Sequence, residues 1–199
     1  MIIEPENESP SLVYSTMIRA ITPRPIAWVS SVSAEGIPNL APFSYFNGVS
    51  TTPAALMFSA VNKPDGSKKD TVRNIEATRE FVVNIVPHAL AKKMAVTAGD
   101  FDYEVNEFAK AELTQKPSHR VAAPSVAQSP IQFECELMQI VNIGEGPLAA
   151  NVIFGKILLM SIDESILNTD NKIDPTLADT IGRMGGRDYC RTTNGFTMS

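Results

Sequence analysis

Apolar residues in this chain fall mainly into short runs with strand-like composition, each bounded by turn residues. Pro25-Ile26-Ala27-Trp28-Val29-Ser30-Ser31-Val32 is rich in branched and aromatic residues and predicts a strand. Ala34-Glu35-Gly36 predicts a turn, and Ile37 to Phe46 the returning partner strand. Pro38 and Pro42 lie within that return; proline cannot donate to a ladder, so this strand is expected to be irregular or at a sheet margin. Further strands are predicted over Ala54–Val61, Glu80–Val86, Ile131–Ile143 and Asn151–Ile162, the last two as a hairpin around Gly144-Glu145-Gly146-Pro147. Helices are predicted over residues 10–20, 70–78 and 88–98, with Asp70 as the N-cap of the second. Residues 62–67 read as a loop, and residues 99–130 as irregular, punctuated by Pro117, Pro124 and Pro130. With hairpins dominant and no regular strand–helix alternation, the expectation is an antiparallel barrel with helical decoration, in one domain over residues 1–199.

Polar residues interrupt this pattern where a plain hairpin would be apolar. Ser30, Ser31, Asn39, Ser44 and Asn47 break otherwise β-like runs, and polar groups in a half-buried sheet are costly unless hydrogen-bonded. A polar ligand is one reason for such a cluster. Downstream, Lys68-Lys69-Asp70-Thr71 opens a predicted helix, and a helix start offers free N–H groups and a partial positive charge to phosphate. Taken alone, that segment reads first as a capped helix with solvated lysines. Trp28, Phe43, Tyr45 and Phe46 can act as apolar walls, or as core, beside backbone amides near Ala41 and Ser44. Together these features point to a phosphorylated planar ligand the size of flavin mononucleotide. The residues themselves do not separate it from other nucleotides.

Composition narrows the classes. The 44% hydrophobic and 20% charged content is that of an ordinary globular protein. A net charge of −5 with scattered basic residues argues against nucleic acid as a partner. No apolar run approaches the ~20 residues of a membrane span, and Met1 to Pro10 lacks the basic and apolar regions of a signal peptide. A soluble, cytoplasmic protein is therefore expected, with Cys135 and Cys190 as free thiols. His88 and His119 have no Cys or His at ligand spacing, so no metal site is expected. Walker A, G-x-G-x-x-G and G-x-S-x-G patterns are missing, and no catalytic acid, base or nucleophile stands out.

The chain resembles the flavin reductase-like proteins of the FMN-binding split-barrel fold, near flavoredoxin and the reductase components of two-component monooxygenases. The likeness rests on Thr22-Pro23-Arg24-Pro25-Ile26-Ala27-Trp28-Val29-Ser30 and Asn39-Leu40-Ala41-Pro42-Phe43-Ser44-Tyr45-Phe46-Asn47. It continues through Lys69-Asp70-Thr71-Val72-Arg73-Asn74-Ile75, Glu80-Phe81-Val82-Val83-Asn84 and Gly182-Arg183-Met184-Gly185-Gly186-Arg187-Asp188-Tyr189. The resemblance implies an antiparallel split β-barrel and FMN held non-covalently at a homodimer interface. Ser30, Ser31, Asn39, Ala41, Ser44, Tyr45, Phe46 and Asn47 would line the cofactor. Lys69 and Thr71 would reach its phosphate, with Asp70 also among the cofactor-binding residues, and Arg183 and Tyr189 would close the site. It further implies hydride transfer from NADH or NADPH to flavin N5 and a monooxygenase or redox-protein partner. The alternative is a non-enzymatic, flavoredoxin-like FMN electron carrier fed by a protein partner.

Overall fold

The computed structural model describes residues 1–198. In chain order the strands are β1 Ala27–Val32, β2 Pro38–Phe43, β3 Phe46–Thr51, β4 Ala54–Val61, β5 Glu80–Ile85, β6 Gln115–Lys116, β7 Ser125–Val126, β8 Ile131–Ile143, β9 Ala150–Ile162, β10 Ile181–Gly185 and β11 Asp188–Arg191. The helices are α1 Pro10–Ala20, α2 Asp70–Thr78, α3 Ala91–Val96, α4 Glu107–Lys110 and α5 Pro175–Ala178. Seven strands form one antiparallel sheet in the order β2-β1-β5-β8-β9-β4-β3, while β6-β7 and β10-β11 are separate two-stranded ribbons.

The two edges of the large sheet, β2 and β3, are joined by only Ser44 and Tyr45. Three residue steps reach at most about 11 Å, so the sheet curls until its edges nearly meet. The result is an open, split antiparallel barrel. Pro38 and Pro42 lie on the edge strand β2, where a missing N–H donor is tolerated.

Strand alternation divides the core in two. Ala27 and Val29 of β1, Leu56, Phe58 and Ala60 of β4, Phe81 and Val83 of β5, Cys135 and Leu137 of β8 and Ile153 of β9 fill the interior, and Val72 and Ile75 of α2 plug it. The opposite face of β1 and β2 presents Trp28 and Leu40 to an outer layer with Met94, Phe108 and Val126, from α3, α4 and β7. Trp28 Nε1 donates to Thr97 Oγ1 at 2.8 Å, so the indole N–H is satisfied in that layer. All six residues of β1 are therefore buried. The carboxylate of Glu134 on β8 accepts from the amides of His119 and Arg120 at 3.0 and 2.6 Å, tying down the irregular segment beside it.

Several sequence expectations change. The strand expected over 37–46 breaks at Ser44-Tyr45, and Phe46 belongs to the opposite edge. Strand β3 left no pattern because it is largely exposed, contains Gly48 and carries a bulge between Gly48 and Ser50. The helix expected over 88–98 is a 3-10 turn at His88–Leu90 followed by α3. Both cysteines are free, and burial pushes the Cys135 thiol far up.

Gly155 on β9 is required by packing rather than by its backbone angles. A Cβ there would lie 2.3 Å from Cζ of the interior Phe81 ring. Gly155→Ala is expected to cost about 1–3 kcal/mol, read as a lower urea midpoint with unchanged slope, and Phe81→Leu in the same chain should recover part of it.

Candidate functional site

Strand register decides which polar side chains can share a site. Ser31 pairs with Asn39, Val29 with Ala41 and Ala27 with Phe43 on the inner face, whereas Ser30 pairs with Leu40 on the outer face. At the head of that inner face, α2 begins beside β2. A cleft opens there, lined among others by Asn39, Ala41, Phe43, Lys63, Lys69, Asp70, Thr71, Asp100 and Glu107.

Beneath the cleft lies a buried polar network. Asn39 Nδ2 donates to Thr71 Oγ1 at 2.9 Å and to Ser31 Oγ at 3.3 Å, and Asn74 Nδ2 donates to Ser31 Oγ at 3.2 Å. Tyr103 donates its hydroxyl to Asn74 Oδ1 at 2.8 Å, while Arg73 lies 3.9 Å over the Tyr103 ring. These bonds hold α2, β1, β2 and the 99–105 loop together. Thr71 Oγ accepts and has no protein acceptor for its own proton among the described residues, so an O–H donor is left at the cleft.

The N-cap of α2 is Lys69, with no side-chain cap, rather than the expected Asp70. Asp70 occupies the first helical position, its carboxylate 3.2 Å from Lys63 and 3.5 Å from Arg73. The amides of Asp70 and Thr71 donate to no backbone carbonyl or capping side chain among the described residues, as expected for the orphan donors of a helix start. Lys69 stands 3.9 Å from the well-exposed Asp100, a contact of little energy that Lys69 can leave. Uncapped amides, a hydroxyl with no acceptor for its proton and a weakly paired ammonium are groups able to hold an anion.

Glu107 also lines the cleft. Its Oε2 accepts from Leu40 N–H at 2.9 Å. Burial pushes its carboxyl above the usual range and the Asp70 charge adds to that, against the opposing Leu40 amide.

The remaining expected residues lie elsewhere. Ser30 is not at the cleft: its hydroxyl donates to Pro124 O at 2.5 Å and accepts from Asn84 Nδ2 at 3.3 Å in the outer layer. The reason is period-two alternation, which sends adjacent hydroxyls to opposite faces. Ser44 and Tyr45 sit at the split beside Arg24, whose Nε is 3.5 Å from Ser44 Oγ and whose guanidinium is 5.9 Å from the Tyr45 ring. Burial, then the nearby Tyr14, push the Tyr45 hydroxyl pKa up, against the opposing Arg24 charge. Phe46 and Asn47 line a different, apolar recess with Ile85, Ile131 and Phe133. On the β10–β11 ribbon, Arg183 Nη1 donates to Tyr189 OH at 2.7 Å. Sequence reading missed Lys63, Asn74, Tyr103 and Glu107. Only Asn74 had a signal, one helical turn beyond Thr71.

A family model for a flavin reductase like domain matches residues 18–179. The chain belongs to the flavin reductase-like family. An uncharacterized protein of Aquifex aeolicus (strain VF5) is 41% identical over 179 residues, covering 90% of this chain and 89% of the relative. Among solved structures, nitrilotriacetate monooxygenase component B from Bacillus cereus superposes with a TM-score of 0.93 at 29% identity, covering 100% of this chain and 98% of the other. The 2-nitrobenzoate 2-nitroreductase of Pseudomonas fluorescens gives 0.89 at 28% identity, with 100% and 95% covered. Within this flavin reductase-like chain no described helix is long and apolar enough to cross a membrane.

The raised Glu107 carboxyl has a definite sign in stability. Between the ordinary glutamate range and its raised native value, the folded chain binds more protons than the unfolded one, so this residue's contribution is lost as pH rises through that window. Glu107→Gln, which keeps an acceptor for Leu40 N–H, should therefore gain stability relative to wild type on going from about pH 4 to about pH 8. Urea midpoints across that range check it; parallel profiles would refute it.

Proposed function

We propose that the chain is an FMN-binding oxidoreductase that accepts hydride from NADH or NADPH and delivers reduced flavin or electrons to a monooxygenase or another redox protein. The observation that carries this reading is the uncapped start of α2 beside the free Thr71 hydroxyl, in a chain of the flavin reductase-like family. Those groups fit a phosphomonoester dianion in charge and in donor type.

In this reading the Asp70 and Thr71 amides, the Thr71 hydroxyl and Lys69 hold the phosphate. Asn39 and Ser31 fix Thr71 from below, since both hydrogen-bond within its network. Lys63 and Arg73 neutralise Asp70, which would otherwise repel the anion. The segment from Ala41 to Asn47 leads away across the split and offers backbone groups and aromatic walls to a ring system. When bound, the flavin supplies hydride acceptance at N5, chemistry that requires no side-chain acid or base at the transferred hydride. Arg183 and Tyr189 cover the ring from the C-terminal ribbon. A second copy of the chain completes the site in a homodimer; exposed Val49 on β3 and Met138, Ile143 and Met160 on β8 and β9 are apolar surface it can cover. Likeness to a monooxygenase component supports an oxygenase as the recipient.

Thr71→Val removes a hydrogen bond to a charged group, so FMN affinity should fall about tenfold or more without loss of the fold. Quenching of flavin fluorescence on titration measures it, and unchanged affinity removes Thr71 from the site. Anaerobic mixing of the FMN-loaded protein with NADH or NADPH should bleach the flavin absorbance. Bleaching by dithionite but by neither nucleotide would overturn the reductase reading in favour of an electron carrier.

A further inference from the structure

Just past the Phe43 end of β2 stands a group of arginines that the flavin-phosphate site does not use. Arg24 and Arg183 are antiparallel partners that exchange backbone N–H···O bonds of 3.0 and 2.8 Å. Residues opposed in this way project their side chains to the same face, with Cα atoms about 5.5 Å apart. Arg24 is only 5% exposed. Its Nη1 donates to the carbonyls of Ile18 and Ile21 at the end of α1, at 2.5 and 2.6 Å. Its Nε faces Ser44 Oγ at 3.5 Å. Nη2 has no protein partner among the described residues, yet it is not sealed from solvent.

Two further arginines lie near Arg24: Arg183 is its antiparallel partner, and Arg19, whose Nη1 donates to Ser15 O at 3.0 Å, stands at the end of α1. Arg183 Nη1 donates to Tyr189 OH at 2.7 Å, and its Nη2 to the carbonyl of Gly186. Arg19, exposed in the last turn of α1, runs against the ribbon turn: a Cβ on Gly185 would lie 3.0 Å from Arg19 Cγ, and one on Gly186 3.9 Å from Arg19 Nη2. None of the three forms an ion pair with a carboxylate among the described residues, in a chain whose net charge is −5. Helix-end carbonyls offset about half a charge at Arg24. The remainder is open to an anion from outside, and the planar guanidinium fork suits phosphate.

The depth of Arg24 limits what that anion can be. A protein surface or membrane cannot reach a side chain this buried; a group on a small molecule can. In the proposed reaction the flavin's one phosphate is held at α2, and the other phosphorylated reactant is the electron donor, which carries a pyrophosphate and in one form a 2′-phosphate. We infer that Arg19, Arg24 and Arg183 form an anion site at the Ser44–Tyr45 split that receives the phosphates of the nicotinamide dinucleotide. The assignment rests on the flavin-reductase reading, and it places the donor phosphates just past the Phe43 end of β2 and the flavin phosphate at the start of α2.

Redox-inert analogues test it without turnover. FMN affinity is measured first, for wild type, Arg19→Gln and Arg24→Lys. The FMN-loaded proteins are then titrated calorimetrically with ADP-ribose and with 2′-phospho-ADP-ribose. Wild type should bind at least one analogue, more weakly at higher salt, and each variant should lose about tenfold with FMN affinity unchanged. Equal binding of the two analogues assigns the pyrophosphate; a preference of about tenfold for the phosphorylated one assigns the 2′-phosphate. Arg19 is exposed, so its variant serves even if Arg24→Lys does not fold. FMN binding without analogue binding, or analogue binding unchanged in Arg19→Gln, overturns this assignment alone. Loss of FMN affinity in the variants would overturn it in favour of the cofactor's own phosphate. Failure of wild type to bind FMN overturns the flavin reading itself, and this assignment with it.

Discussion

Only Ser44 and Tyr45 separate strands at opposite edges of the seven-stranded sheet, and that tether constrains everything around it. Edges held this close force the sheet to curl, which creates an interior for Phe58, Phe81 and Ile153 to fill. Curling also leaves one end open, and Val72 and Ile75 of α2 close it. Because those two residues anchor α2 by burial, the helix start is held in place beside the inner face of β2. The cleft is thus a by-product of how the barrel is plugged.

Burial of polar groups around the cleft is tolerated because each is satisfied. Among the described residues no buried side-chain nitrogen or oxygen lacks a partner. Ser31, Asn39, Thr71, Asn74 and Tyr103 form one connected network, so displacing any member leaves another unpaired in a region of low dielectric. Such a network is stiff, and stiffness is what a binding site needs if ordering is not to oppose the ligand. Among the groups left over are the helix amides and the Thr71 hydroxyl proton, on residues that line the cleft. Just past the Phe43 end of β2 the arrangement reverses: Arg24 is held rigidly by carbonyls while part of its donor capacity stays free.

Legibility followed periodicity. The β8–β9 hairpin was readable because two long apolar runs flank Gly144-Glu145-Gly146-Pro147, and each strand has one face packed on the interior. The outward strand β3 was not, since exposed residues have no reason to alternate. Ser30 and Ser31 were alike as letters, and their separation depended on which face of β1 meets α2. Asp70 looked like a cap because it is a good capping residue type, yet Lys63 and Arg73 hold its carboxylate in the first turn instead. Glu107 had no signal at all: it reaches β2 from a four-residue helix 67 positions away.

The sequence by itself determined an antiparallel, hairpin-built fold, an irregular proline-bearing margin and a helix start suited to an anion. Each of these is a local property, set by side-chain alternation, by proline's missing donor and by the free amides that every helix start carries. Tertiary structure alone decided which hydroxyls meet, which carboxylates are neutralised and which arginines stand without acids. Those outcomes depend on contacts between segments tens of residues apart, fixed only once the sheet has curled and its register is set.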